Sequence, residues 1–122
     1  MLSLTHLSGA AESIAIVYTK YAIINMTRNH LRVSQRIATK LNNKHHVAVQ
    51  EVWECFMNRT AGFLEDTRLA HKTEPPTLWF IAETDSERLL KVVFIERDDG
   101  LYELKTAYEP NSNEVKLYEK YA

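Results

Sequence analysis

The sequence predicts an α+β fold: N-terminal helices, a three- to four-stranded antiparallel β-meander and a C-terminal helix. Three observations carry this. Two segments in the first half repeat their apolar residues at helical spacing. Three β-rich runs, TLWFIAET, LLKVVFIER and LYELKTAY, follow one another with only Asp85-Ser86-Glu87 and Asp98-Asp99-Gly100 between them. Such short connections pair neighbouring strands. The chain then closes on Asn111…Glu114, the spacing of a capping box, followed by apolar Val115, Leu117, Tyr118 and Tyr121.

Residues 1–25 read as an N-terminal extension and residues 26–122 as a single α+β domain. The extension opens on an unstructured start, and its apolar stretch over 10–25 fits helix and strand equally. Thr27 can cap a helix running to about Asn42. At about 100° per residue, Leu31, Ser34, Ile37, Ala38 and Leu41 fall on one side of it. A second helix is expected from about Ala48 to Asn58, burying Val49, Val52, Trp53 and Phe56. RTAGFLEDTR reads as a turn and a short extended piece. The Pro pair makes AHKTEPP a loop. The first two strands of the meander are nearly continuous apolar runs, so both faces of the sheet are expected to be covered, at least in part. The Asp-Gly pair before the third is a hairpin signal.

Composition narrows the function classes. The chain has 122 residues, 45% apolar and 25% charged, which fits one globular domain. No apolar run reaches the ~18 residues of a membrane span. The single cysteine, Cys55, excludes an internal disulfide framework and fits a cytoplasmic protein. Charge is unevenly placed. Residues 1–50 carry six Lys/Arg and one acid, whereas residues 51–122 carry nine and fifteen. The cations Arg28, Arg32, Arg36, Lys40 and Lys44 recur at every fourth position with no acid among them. Like charges at that spacing cost a helix a few tenths of a kcal/mol per pair (~0.2–0.5). They read either as a solvated face or as a surface for an anionic partner: RNA, an acidic protein, the acidic half of this same chain or that of a second copy.

The sequence has no Cys/His ligand spacing, no phosphate-cradling glycine loop and no nucleophile elbow. Neither metal nor cofactor is expected, and a catalyst of this kind would work by acid–base chemistry. Two histidines sit among cations: His45 in Lys44-His45-His46, and His71 in the stretch from Arg68 to Lys72. RNA cleavage without metal needs a base for the 2′-hydroxyl, an acid for the leaving oxygen and cations for the phosphorane. Histidine suits either proton-transfer role near neutral pH. Lys44, Arg68 and Lys91 are candidate phosphate contacts, with Arg28, Arg32, Arg36 and Lys40 as a tracking surface. The plainer readings are surface loop histidines, an Asp66–Arg68 pair, and lysines at 91 and 105 guarding a sheet edge. Tyr108 and Tyr118 read as core or rim aromatics.

These pieces resemble the BrnT-type ribonuclease toxins, small RelE-like members of bacterial toxin–antitoxin pairs. That family's Lys-His-Gly-Val opening looks like Lys44-His45-His46-Val47, followed by Glu51, Val52 and Phe56 on a helix. Its Val-rich strand is similar to Leu89, Leu90, Val92, Val93 and Phe94. Its Ser-Ala-Arg, then Glu and Tyr in the last helix, is matched by Thr106-Ala107-Tyr108, Glu114 and Tyr118. The resemblance covers residues 44–122. It departs at His46, which replaces a glycine, and at Tyr108, which replaces an arginine. It implies a RelE/BrnT-like fold, a metal-independent endoribonuclease and a protein antitoxin as partner. Because related toxins hold a C-terminal tyrosine near the scissile phosphate, it also implies a catalytic place for Tyr108. A non-catalytic interaction or immunity protein on the same scaffold is the alternative. Proteins similar to this chain are also identified as hydrolases removing ADP-ribose from dinitrogen reductase. Enzymes of that class resemble larger all-helical proteins with carboxylates around two magnesium ions, a constellation without counterpart here.

Overall fold

A computed structural model describes residues 26–68 and 74–122, together with the backbone of Val17 and Tyr18. Strand β1 is Val17–Tyr18. A single 3-10 turn at Arg28–His30 leads into β2, Leu31–Arg32. Helix α1 spans Gln35–Lys40 and passes directly into a π turn at Leu41–His45. Then come α2 (Val49–Asn58), β3 (Phe63–Glu65), β4 (Thr77–Glu83), β5 (Leu89–Glu96), β6 (Tyr102–Tyr108) and α3 (Ser112–Tyr121).

The strands form one mixed sheet in the order β1-β3-β4-β5-β6-β2. Its centre is the expected meander, β4 against β5 and β5 against β6, both antiparallel. β3 adds to β4 antiparallel, and β2 adds to β6 in parallel. The α+β class holds, but the sheet is larger than a three- to four-stranded meander because two-residue strands extend each side.

Adjacent strand residues point to opposite faces, and here both faces are covered. Phe80 on β4 meets Phe56 of α2 at 4.8 Å between ring centroids. Its neighbour Trp79 meets Tyr118 of α3 at 5.7 Å. So α2 lies on one face and α3 on the other. An aromatic cluster of Phe56, Phe63, Phe80, Phe94 and Tyr102 fills the first layer, with offset and edge-on rings. Helix α2 buries Val52, Cys55 and Phe56, while Val49 and Trp53 are only partly buried. Burial pushes the Cys55 thiol up to about 12, with Glu51 and Glu54 adding to it. The thiol therefore behaves as a small apolar side chain.

The expected helix from Thr27 is corrected. After the single 3-10 turn the chain becomes α-helical only from Gln35, capped by Ser34, whose Oγ accepts from the Ile37 N–H at 3.2 Å. Leu31 is buried because β2 pairs it with Tyr102, and Arg32 falls beside Glu103. Extending the sheet satisfies these backbone groups and separates Arg28 and Arg32 from the helical cations. The helix also does not stop at Asn42-Asn43. It widens into the π turn and ends at His46, which takes the left-handed conformation at φ 55°.

Candidate functional site

Two loops and one strand end bring the candidate groups together. The π turn carries Lys44 and His45 to the end of β6. There the His45 ring lies 5.6 Å from the Tyr108 ring, centroid to centroid, tilted by 35°. Tyr108 faces Lys91 across the sheet, since the two are register partners. The capping box of α3 supplies the third element. Asn111 accepts from the Glu114 N–H at 2.8 Å, and Glu114 Oε1 accepts from the Asn111 N–H at 2.9 Å. That fixes the Glu114 carboxylate with its other oxygen turned to the sheet. Glu114 Oε2 then accepts from Lys91 Nζ at 2.8 Å and from the Tyr108 hydroxyl at 2.9 Å.

Lys91 is 8% exposed and belongs to one of the two middle strands. It does not guard a sheet edge, which corrects that reading. Its ammonium is held by Glu114 and by the face of Trp79, 4.4 Å from the ring centroid. Lys105 is exposed on β6 and sits 3.7 Å from Glu103. Arg68 donates to both oxygens of Asp66, at 2.9 and 2.7 Å, so its charge is largely offset.

Electrostatics set the protonation states. Burial lowers the His45 pKa, and Lys44, Lys40 and His46 lower it further, which favours the neutral imidazole at pH 7. Burial pushes the Tyr108 phenol up to about 12, and its hydrogen bond to Glu114 acts the same way, so it keeps its proton. Burial raises Glu114, but Lys91, the Asn111 N–H and the Tyr108 hydroxyl outweigh this and hold the carboxyl below its ordinary value.

The remaining cations divide. Arg32 lies 3.7 Å from Asp99 at the far hairpin, away from Tyr108. Arg28 begins the segment leading there. Arg36, Lys40 and Lys44 are exposed and make no ion pair among the described residues. His71 lies outside the described residues. The structure thus brings together His45, Tyr108 and Lys91, with Lys44 and Lys40 close enough to act on His45. It separates Arg28 and Arg32 from them. A cleft of about 500 Å³ lined by Asn58, Thr60, Glu83, Thr84 and Asp85 includes none of the candidate residues. Among the described residues, no group of three or more His, Cys, Asp or Glu is placed to hold a metal ion, and no helix is long and apolar enough to cross a membrane.

Sequence reasoning missed Arg88 altogether and reached Glu114 only as a helix cap and through the resemblance. Arg88 follows the acidic turn 85–87 and reads as an ordinary surface residue there. Nothing local signals that its partners lie on three other segments. Comparison of the chain with protein-family models, with curated proteins and with solved structures found no significant match.

Proposed function

We propose that this protein is a metal-independent endoribonuclease of the RelE-like, BrnT-type toxin class, held in check by a protein antitoxin. The observation that carries the reading is the pairing of His45 with Tyr108, beside Lys44 and Lys40, which no carboxylate among the described residues neutralises. The neutral imidazole takes the proton of a 2′-hydroxyl. The 2′-oxygen attacks phosphorus, the bond to the 5′-oxygen breaks, and that oxygen is protonated as it leaves. His71 is assigned as the acid. Lys44 and Lys40 supply positive charge for the phosphorane. The Tyr108 ring offers a face on which a base can stack beside the reacting phosphate. The left-handed His46 supports the family reading, because it stands where the resembling toxins have a glycine, the residue that adopts this conformation at no cost.

The test is RNA cleavage by the purified protein in EDTA. Wild type is expected to cleave, and His45→Ala to lose about 10²–10⁴-fold in rate, as expected for a removed general base. His71→Ala should fall comparably. Intact RNA with wild type, or full activity in the double variant, would remove the proposal.

A second reading is a non-catalytic interaction protein on this scaffold. What favours it is that Lys91, Arg68 and Arg88 each have a carboxylate oxygen at 2.7–2.8 Å, leaving them little charge for a phosphate. Expression alone separates the two: a toxin arrests growth of its host, and an interaction module does not.

A further inference from the structure

We propose that Arg88 is a positioning residue for His45, a role whose catalytic half rests on the ribonuclease reading above. Four segments meet at its guanidinium. Nη1 donates to the His46 carbonyl at 2.8 Å, and Nη2 donates to the His45 carbonyl at 3.2 Å. Nε donates to Glu109 Oε2 at 2.8 Å, beyond the end of β6. Nη1 also faces both Glu51 oxygens, at 3.2 and 3.3 Å, in the first turn of α2. The two carboxylates fix the fork, and the fork fixes the two carbonyls.

Those carbonyls need such a partner. The π turn ends at His45, and the next residue is left-handed, so the chain reverses within one residue. Carbonyls at a helix end have no partner within the helix. The Val47 N–H returns to the Leu41 carbonyl at 3.0 Å, which closes the turn from inside. Arg88 closes it from outside. Glu51 serves both ends, since its Oε1 also accepts from the Ala48 N–H at 3.0 Å and so caps α2. The imidazole is thereby set against Tyr108 by a clamp 43 residues away in sequence. An ammonium cannot replace it, because a point donor does not span two carbonyls and two carboxylates at once.

The experiment compares wild type, Arg88→Lys and Arg88→Ala by thermal unfolding, by nuclear Overhauser contacts between the His45 and Tyr108 rings, and by RNA cleavage. Arg97→Lys is the control, since Arg97 makes a single exposed pair with Glu103 at 3.0 Å. The expected result is a folded Arg88→Lys whose ring-to-ring contacts disappear and whose cleavage falls about a hundredfold, as for a group displaced by about 1 Å. Arg97→Lys should change neither. Persistence of the ring contacts in Arg88→Lys overturns the proposal, whatever the cleavage rate. Global unfolding of Arg88→Lys also overturns it, by making Arg88 a residue of the fold and not of the turn. Should wild type leave RNA intact while the contacts vanish in Arg88→Lys, the positioning role stands and the ribonuclease reading fails.

Discussion

Lys91 is a charge buried on a middle strand, and its energetics are decided by Glu114. Desolvating an ammonium and a carboxylate costs several kcal/mol (~3 or more) per ion, which their attraction only roughly offsets. Removing one partner leaves the other uncompensated. Lys91→Met should therefore destabilise the protein by about 3 kcal/mol, the lower end for buried pairs, because Glu114 keeps some contact with water. Adding Glu114→Gln to Lys91→Met should recover most of that loss. Urea unfolding of the two single variants and the double variant measures it, and a Lys91→Met protein as stable as wild type would contradict the account. The same pair predicts a pH dependence. Folding lowers the Glu114 pKa, so the unfolded chain binds its proton more readily. The stabilisation is full above the ordinary value of 4.5 and is lost as pH falls through the lower folded value. The stability gap between wild type and Glu114→Gln should close on acidification below pH 4.5 and stay flat above it.

Helix α1 shows the same logic over a longer stretch. It has only six residues before the π turn, so it depends on its cap and on Ile37 and Leu41 against the sheet. Ser34→Ala should cost about 1 kcal/mol and lower the melting temperature by about 4 °C. Ser34→Asp should keep stability near wild type, since aspartate caps as well as serine. Calorimetry on both separates loss of the cap from a general effect of substitution. The start of this helix was hard to read, and the reason is physical. Thr27 and Ser34 are both competent caps, and Leu31, Ile37 and Leu41 fit one continuous apolar stripe. What decides between them is the pairing of Leu31 with Tyr102, a contact that no local pattern encodes. The closing helix was legible because its cap is wholly local: Asn111 and Glu114 satisfy each other. The meander was legible for the same reason, its turns being short. The site is a different matter. His45, Lys91, Tyr108 and Glu114 come from a turn, two strands and a helix. Their residue types mark them as candidates, whereas their meeting depends on strand register and on the wrap of α3.

Across the whole molecule, the contrast between a basic first part and an acidic second part largely survives folding. Among the described residues one ion pair joins the two parts, Arg32 with Asp99, whereas Arg88 pairs with Glu51 and Glu109 inside the acidic part. Among the described residues of α1 and the π turn, the unpaired cations are Arg36, Lys40 and Lys44, the last two acting on His45. Three cations are too few for a strong non-specific grip, which agrees with a net charge of only −1. If the proposed ribonuclease reading holds, they are enough to leave a measurable signature. Each phosphate neutralised on a single strand contributes about −0.7 to the slope of log affinity against log salt, so three contacts predict about −2. Lys40→Ala with Lys44→Ala should reduce the slope to about −0.7, leaving Arg36. Arg28→Ala with Arg32→Ala should leave it unchanged, since Arg32 lies at the far hairpin and Arg28 on the turn that leads into β2. Anisotropy titrations of a labelled single-stranded RNA, from low to physiological salt, read both. Because His45→Ala is expected to cleave far more slowly than wild type, it is the background in which all slopes should be taken. A steep slope that disappears with Arg28 and Arg32, and persists without Lys40 and Lys44, would put the polyanion on the other end of β6, away from the imidazole.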